Sequence, residues 1–264
     1  MVMKLKYVSR SVIILITTLL MITFAGCSKK EVVEINISAA ASLTQVVSDI
    51  VKQYEVENTG TKINLNFAGT NTLKMQIEEG ADADLFLSAN FKYYDELDKK
   101  GFIEEGSEFA NNKLCIIKHK DNKEIERIED ITKSGLKIIV GAKEVPVGKY
   151  TLVVLDKLES KLGKDFSKNA LTNVASMESD VKRIVTKINL NEGDCGFVYK
   201  TDVIDSIKEN VEVIEIEDDY NVISSYYAGI IKKDNIEKET EKIYKYILSE
   251  KVKEIFKKYG FEIK

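Results

Sequence analysis

The sequence has few of the residues that most metal and catalytic sites require. Its 264 residues include one histidine, no tryptophan, three cysteines and one proline. A single histidine speaks against imidazole-based metal sites and histidine-dependent triads, and without a C-x-x-C pair zinc and thiol redox chemistry have no support. The chain is otherwise ordinary globular material, with 44% apolar and 31% charged residues. Its length corresponds to roughly two domains.

The net charge is negative, and more so once the N-terminus is set aside. Residues 1–26 contain three basic side chains (Lys4, Lys6 and Arg10) and no acidic one, so the chain from Cys27 onward carries a formal charge of −7. This balance disfavours nucleic-acid binding, and the sequence has no basic stripe interleaved with aromatic residues. We therefore expect no nucleic-acid partner.

The N-terminal segment has the pattern of an export signal. The three basic residues precede a mostly apolar run from Val12 to Phe24, which is too short for a comfortable membrane-spanning helix. Ala25-Gly26-Cys27 follows and resembles a bacterial lipobox, in which Cys27 would be lipidated and become the mature N-terminus. We predict that residues 1–26 are a lipoprotein signal peptide; an ordinary cleaved signal and an uncleaved anchor are the alternatives. All three place the protein outside the cytoplasmic membrane.

The two other cysteines, Cys115 and Cys195, lie in strand-like apolar runs. A disulfide is allowed in an exported protein, but two cysteines this far apart form no scaffold signature. We predict that both are buried free thiols.

Hydrophobic periodicity alternates between strand and helix along the chain. Ile35 and Ile37 alternate as in a strand, and an apolar helical face then runs from Leu43 to Tyr54. The pattern continues to a C-terminal region predicted to be one long helix through Phe256. Alternating strands and helices favour an α/β fold with mainly parallel sheets covered by helices. Because no linker separates two halves, we expect the chain to cross between lobes on ordinary strands.

Polar groups and helix starts follow several predicted strands. Ser42 and Gln45 form a predicted capping box, and Gly69-Thr70 opens the second helix. Pro146 stands at the N1 position of a later helix, and Ser179-Asp180 precedes another. Each motif alone is usually only a helix cap. Because helix N-termini carry about half a positive charge, several directed at one point form an anion site without Lys or Arg. Their number favours such a site at the carboxyl edges of the strands.

Seven short motifs occur in order between Ile35 and Lys264. They are Ala39-Ala40-Ala41-Ser42-Leu43-Thr44, Phe67-Ala68-Gly69-Thr70, Ala83-Asp84-Leu85-Phe86-Leu87-Ser88-Ala89, Val145-Pro146-Val147-Gly148-Lys149-Tyr150, Asp180-Val181-Lys182, Gly196-Phe197-Val198-Tyr199 and Glu254-Ile255-Phe256-Lys257-Lys258-Tyr259-Gly260-Phe261. In this order the motifs resemble those of the periplasmic molybdate-binding proteins, the solute receptors of molybdate ABC transporters. The resemblance covers nearly the whole mature chain.

The resemblance implies the type II periplasmic-binding-protein fold, an α/β architecture of two lobes with the anion clamped between them. Lobe 1 would comprise residues 31–112 and 225–264, and lobe 2 residues 113–224. The implied partner is the membrane permease of an ABC transporter. No cofactor is expected, membrane contact would be made only through the lipid anchor, and the protein would be a monomer.

The resemblance also implies five ligand contacts. Ser42 and Thr70 would donate from lobe 1 through hydroxyl and backbone N–H groups. On lobe 2, Val147 and Val181 would bind only through backbone N–H groups, and Tyr199 through its phenol. Molybdenum would be held only as molybdate, through these same residues.

Donor chemistry predicts which anions such a site accepts. A fully deprotonated tetrahedral dianion such as molybdate or tungstate has only acceptors, which N–H and O–H donors satisfy. Phosphate near pH 7 mostly carries a proton and would need an acceptor that these positions lack. Sulfate is a bare dianion and would be excluded only by its smaller size. The sequence does not rank molybdate against tungstate.

Three other functions stay open at this point. A receptor for sulfate is one, and a receptor for ferric ion is another, because Tyr226-Tyr227 could supply ligands. Strand alternation, however, would direct these two side chains to opposite faces. An extracytoplasmic enzyme could use only acid pairs such as Asp82/Asp84 or Asp218/Asp219. No G-x-S-x-G or H-E-x-x-H motif supports it, so we predict that the protein is not an enzyme.

Overall fold

Two five-stranded sheets organise residues 32–263, the part of the chain that the computed structural model describes. The predicted signal peptide and Cys27 lie outside these residues. In chain order the strands are β1 (Val33–Ala40), β2 (Thr61–Ala68), β3 (Leu85–Ser88), β4 (Ile103–Asn112), β5 (Leu114–His119), β6 (Ile138–Gly141), β7 (Val174–Glu178), β8 (Cys195–Tyr199), β9 (Val211–Glu215) and β10 (Ser224–Ile231).

The first sheet has the strand order β2-β1-β3-β10-β4, and the second has the order β7-β6-β8-β5-β9. In the first sheet β1 and β3 are parallel, whereas β10 is antiparallel to both β3 and β4. In the second sheet β6 is parallel to β7 and β8, whereas β5 is antiparallel to β8 and β9. The prediction of mainly parallel sheets is therefore wrong, because each sheet is mixed. β5 and β10 are the strands that arrive from the other sheet. They start at the edges where β8 and β3 end, and therefore run antiparallel to those strands.

The strand predicted through Ile35 and Ile37 is observed as β1. The helices are α1 (Thr44–Glu57), α2 (Thr70–Glu78), α3 (Phe91–Lys99), α4 (Pro146–Leu162), α5 (Phe166–Thr172), α6 (Val181–Asn189), α7 (Asp205–Lys208), α8 (Lys238–Ile247) and α9 (Glu250–Lys258), together with short 3-10 turns. None of the helices within residues 32–263 has the length and apolar character needed to cross a bilayer.

The apolar face predicted between Leu43 and Tyr54 is buried in α1, as expected from its spacing. The prediction of a single long C-terminal helix is wrong. The chain breaks into α8 and α9 because Ser249 leaves the helical conformation and its hydroxyl caps α9, accepting the N–H of Val252 at 3.4 Å. Both helices pack on first-sheet elements: α8 contacts β10, and α9 contacts α1.

The chain passes between the sheets at two adjacent places. One residue, Lys113, separates β4 from β5, and the return passage enters β10 at Ser224. The two passages lie side by side, because Ser224 pairs with Asn112 in an antiparallel register. Lys113 Nζ bonds Asp218 Oδ1 and Glu262 Oε1, both at 2.7 Å. These contacts join the two passages and the C-terminal segment into one polar cluster.

The cysteine prediction is confirmed. Cys115 on β5 and Cys195 on β8 are buried free thiols. Burial raises the pKa of both to about 12, so the thiolate, which is the reactive form, is strongly disfavoured.

Candidate functional site

On the first sheet, two predicted hydroxyl donors lie at the same edge. The parallel strands β1 and β3 end at Ala40 and Ser88, and Ser42 follows β1 within a short 3-10 turn. Thr70, the first residue of α2, is held beside the end of β3, because its Oγ1 accepts the Ala89 N–H at 3.3 Å. In that bond the Thr70 hydroxyl is the acceptor, so its own proton remains available for a ligand.

Ser42 does not act as the predicted helix cap. The α1 helix begins at Thr44, one residue later than the capping box requires, and its N-cap, Leu43, makes no side-chain hydrogen bond. Instead, the exposed Ser42 places its Oγ 3.2 Å from the phenol oxygen of Tyr226 on β10. The capping-box prediction is therefore wrong: the Ser42 hydroxyl makes a contact with a residue distant in sequence instead of a local one.

On the second sheet, three parallel strands deliver the other predicted groups to one edge. β6, β7 and β8 end at Gly141, Glu178 and Tyr199. The α4 helix follows β6 and begins at Pro146, as predicted, while α6 follows β7 and begins at Val181. Two helix N-termini and the Tyr199 phenol therefore share this edge, where positive partial charge would attract an anion.

Val147 can reach a ligand only through its backbone. Its side chain is buried in the second-sheet core, and the first backbone bond at this end of α4 is donated by Lys149 to the Val145 carbonyl at 3.0 Å. The Val147 N–H precedes that bond and has no carbonyl partner within the helix. The close approach of this turn to β6 depends on Gly148, where an added Cβ would lie 2.1 Å from the Ala142 carbonyl oxygen.

Val181 presents a comparable N–H at the start of α6. The Asp180 side chain is the N-cap and accepts the Arg183 N–H at 3.1 Å. That bond is the main reason why the pKa of Asp180 is lowered, so the cap stays ionised at neutral pH. The cap occupies the third N–H of the helix and leaves the first one, that of Val181, directed out of the helix end.

Tyr199 lies where the two sheets meet. Its ring packs edge-on against that of Tyr150, with ring centroids 6.3 Å apart. Its pKa is raised far above the ordinary tyrosine value, chiefly by burial and further by the neighbouring groups Tyr150, Tyr226 and Asp202. Tyr199 therefore keeps its proton and is a donor at any physiological pH. Because Tyr226 belongs to the first sheet and bonds Ser42, the same interaction brings Ser42 and Tyr199 into one neighbourhood.

The five residues predicted as ligand contacts are therefore distributed over the strand edges of the two sheets. Ser42 and Thr70 lie at the edge of the first sheet, and Val147, Val181 and Tyr199 at the edge of the second. Within residues 32–263, none of the five is hydrogen-bonded to another. The two hydroxyls of the first sheet are instead held by Tyr226 and by the Ala89 N–H.

Two residues of this neighbourhood were missed by sequence reasoning. Tyr226 is 3% exposed and supplies the partner of Ser42. The half-buried Asp202 follows β8 and accepts the Tyr199 backbone N–H through Oδ2 at 3.1 Å. Burial raises the pKa of Asp202 to about 6, against the opposing effects of that bond and of Lys182. The sequence did offer a signal for Asp202, because it is a polar residue shortly after a strand end. No signal in the sequence distinguished Tyr226 from Tyr227.

The residues considered for the alternative functions bond or pack against residues outside the five candidate contacts. Tyr227 faces away from Tyr226, as strand alternation predicted: it stacks on Tyr94 at 4.9 Å and donates to Glu108 at 3.3 Å. The two tyrosines therefore do not form a joint metal site. Asp82 and Asp84 both bond Lys233 Nζ at 2.6 Å. Across residues 32–263, no group of three or more His, Cys, Asp or Glu side chains is arranged to hold a metal ion.

Comparison with known proteins relates the chain to solute receptors. Residues 35–262 match the family described as bacterial extracellular solute-binding protein. The chain is 30% identical over 256 residues to "Putative ABC transporter substrate-binding lipoprotein YvgL" of Bacillus subtilis, covering 90% of this chain and 92% of that protein. It is also 30% identical over 249 residues to "Molybdate-binding protein ModA" of Escherichia coli, covering 91% and 93% of the two chains.

Among solved structures, a similar one is the "substrate binding domain of putative molybdenum ABC transporter from Clostridium difficile". It has a TM-score of 0.78 at 31% identity and covers 88% of this chain and 99% of that one. Type II binding proteins for other ligands share the fold at lower identity, among them iron-bound HitA of Pseudomonas aeruginosa (15%) and the sulfate-binding protein SubI of Mycobacterium tuberculosis (12%). At these identities the likeness concerns the fold alone.

Proposed function

Because the chain belongs to the bacterial extracellular solute-binding proteins of ABC transporters, we propose that its particular solute is molybdate, with tungstate as a second ligand. Members of this family bind solutes and are not enzymes. The observation that carries the proposal is the pair of strand edges, one on each sheet, at which these groups lie. Together they offer only uncharged donors at the five candidate positions: the hydroxyls of Ser42 and Thr70, the N–H groups of Val147 and Val181, and the Tyr199 phenol.

These donors suit a bare oxyanion that remains deprotonated. Each oxygen of molybdate accepts hydrogen bonds only, and bonds from neutral donors to a charged acceptor are worth about 1.5–3 kcal/mol each. Asp202, whose carboxylate influences the Tyr199 phenol, accepts the Tyr199 N–H through Oδ2. A protonated phosphate therefore gains less from this site than a fully deprotonated dianion. Discrimination against sulfate would rest on size, because donors fixed for a larger anion lie too far from a smaller one.

We propose that residues 31–112 with 225–264, and residues 113–224, are the two lobes that close on the anion. The proposal is supported by the two adjacent passages at Lys113 and Ser224, since paired strands at one side of a cleft can act as a hinge. The closed form would be the state delivered to the transporter permease, and the receptor would act as a monomer.

We also propose that Cys27 carries a lipid and holds the receptor at the outer face of the membrane. The apolar run followed by Ala25-Gly26-Cys27 supports this. Mass spectrometry of the mature protein should find cleavage before Cys27 and an acyl modification on it. Cleavage at another position, or a Cys27→Ala protein that is still processed and membrane-bound, would overturn the proposal.

The ligand itself is tested by calorimetry and thermal unfolding of the chain from Cys27 onward. At a hundredfold excess over Kd, molybdate or tungstate should add about 2.7 kcal/mol to the free energy of unfolding. Phosphate should add almost nothing and sulfate little. Equal stabilisation by phosphate would contradict the all-donor site. Stabilisation by sulfate alone or by ferric ion alone would replace the proposed ligand by one of the other two.

A further inference from the structure

The ring of Tyr226 is part of the first-sheet structure, whereas its hydroxyl is directed at the candidate site. The ring packs edge-on against Phe109 and Phe261, with centroids 6.2 and 5.2 Å away. These contacts and its burial fix the side chain, so the phenol oxygen has a defined position 3.2 Å from Ser42 Oγ. Ser42, in contrast, is exposed and lies in a single turn of 3-10 helix that gives its side chain no local partner.

The direction of the Tyr226–Ser42 bond follows from what Ser42 is required to do. A serine hydroxyl has one proton, which must go to the ligand oxygen if Ser42 is to bind an anion that is only an acceptor. In the bond between Ser42 and Tyr226, the serine oxygen must then be the acceptor and the Tyr226 hydroxyl the donor. Burial raises the pKa of Tyr226, which keeps this donor protonated.

A second polar contact continues from Tyr226 toward the other sheet. The Asn112 side chain lies close enough to the Tyr226 hydroxyl to lower its pKa, and Asn112 Nδ2 donates to Thr201 Oγ1 at 2.9 Å. Thr201 lies between Tyr199 and Asp202 just after β8. The Asn112 amide has two N–H groups and can donate to the hydroxyls of both Thr201 and Tyr226. Tyr226 can then donate in turn to Ser42, so that the two bonds run in the same direction. Hydrogen bonds aligned in this way polarise and strengthen one another.

We propose that Tyr226 is the positioning residue for Ser42: its hydroxyl holds the Ser42 oxygen as an acceptor and so leaves the Ser42 proton directed at the bound oxyanion. This inference rests on the proposed function and goes beyond it, because it assigns to Tyr226 a role in affinity without direct contact with the ligand. Its neighbour Tyr227 has the same chemistry on the opposite face of the strand and provides a matched control.

Tyr226→Phe tests the proposal, because it deletes the hydroxyl and keeps the ring between Phe109 and Phe261. Calorimetric titration with molybdate should show a Kd raised about three- to tenfold, as expected for loss of one neutral hydrogen bond. Tyr227→Phe should bind molybdate as the wild type does. Circular dichroism and thermal unfolding without ligand establish that each variant is folded. If Tyr226→Phe does not fold, Asn112→Ala tests the same series of bonds from its other end.

A double-mutant cycle separates positioning from a general structural effect. If Tyr226 acts through Ser42, then Tyr226→Phe added to Ser42→Ala should leave the Kd of the single Ser42→Ala variant unchanged. The same fold-loss in both backgrounds, or an unchanged Kd for Tyr226→Phe alone, would overturn the inference while the proposed function stands. A wild-type protein that binds neither molybdate nor tungstate would instead overturn the proposed function, and this inference with it.

Discussion

The two sheets supply donors to the candidate site by different means. On the first sheet the groups are side-chain hydroxyls, and each is held by another residue: Ser42 by Tyr226, and Thr70 by the Ala89 N–H. On the second sheet two of the three groups are backbone N–H groups of Val147 and Val181, fixed by helices that start at strand ends. Affinity should therefore depend on side-chain identity at the first edge and on backbone geometry at the second.

The largest effect should come from disturbing that backbone geometry at Gly148. A Cβ there would lie 2.1 Å from the Ala142 carbonyl oxygen and 2.5 Å from that of Gly141, both rigid backbone atoms. Gly148→Ala should lower the free energy of unfolding by about 3 kcal/mol. It should also abolish measurable molybdate binding, because the start of α4 must move away from β6.

Gly69→Ala is the matched change at the start of α2 on the first sheet. There the added Cβ would approach the Asn71 Oδ1 side-chain atom at 2.9 Å, and a flexible side chain can move aside. Chemical denaturation of both variants measures the difference. Equal losses of stability would show that the two helix starts are equally constrained, contrary to the comparison drawn above.

The next largest effect should come from Tyr199, the one side-chain donor at the second edge. Tyr199→Phe keeps the ring against Tyr150 and deletes one bond to a charged ligand, so binding should weaken by about 2 kcal/mol. Ser42→Ala should cost a similar amount. Calorimetry with molybdate measures both, and Tyr150→Phe serves as a control for ring packing. Wild-type affinity in Tyr199→Phe would remove the phenol from the proposed set of donors.

Sequence patterns predicted the elements of this fold better than the bonds between them. Spacing alone placed the buried face of α1 and the start of α4 at Pro146, because apolar periodicity and proline geometry are local properties. The assignment of Ser42 to a helix cap was wrong because its hydroxyl bonds Tyr226, which is distant in the sequence. The mixed direction of the sheets was missed because strand direction depends on where the chain crosses between them.

For the same reason, only part of the candidate site could be predicted from the sequence. The resemblance to the molybdate-binding proteins implied five donor positions, each next to a strand end or a helix start. Asp202 and Tyr226 were missed because their importance arises from burial and from neighbours in the other sheet, which no local pattern encodes.

A smaller effect should appear as a pH dependence due to Asp202. Its pKa of about 6 in the folded protein is above the ordinary value of 3.8. Between these values the folded state binds more protons than the unfolded state, so the Asp202 contribution to stability is lost as the pH rises from about 4 to 6. The loss is on the order of 3 kcal/mol. Asp202→Asn should remove it and should also flatten any decrease in molybdate affinity over that range.

Asp180→Asn provides the opposite control for this titration. The pKa of Asp180 is lowered by its bond to the Arg183 N–H, so its contribution to stability is present at neutral pH and is lost on acidification. Thermal unfolding between pH 2 and pH 7 measures both variants against the wild type, because the Asp180 effect lies below about pH 4 and the Asp202 effect between about pH 4 and pH 6. The same pH slope in Asp202→Asn and wild type would mean that Asp202 does not titrate in this range.

The smallest effect should come from changing the side chain of Val181 while keeping its N–H. Val181→Ala should alter molybdate affinity by less than about 0.5 kcal/mol, because only the backbone is engaged. Val181 is the first residue of α6, and proline is well tolerated at that position of a helix. Val181→Pro should therefore keep the helix but delete the donor, and weaken binding by about 2 kcal/mol. Calorimetry on this pair separates backbone from side-chain recognition at a single position. A larger loss in Val181→Ala than in Val181→Pro, or than in Tyr199→Phe, would contradict recognition through the backbone of the second sheet.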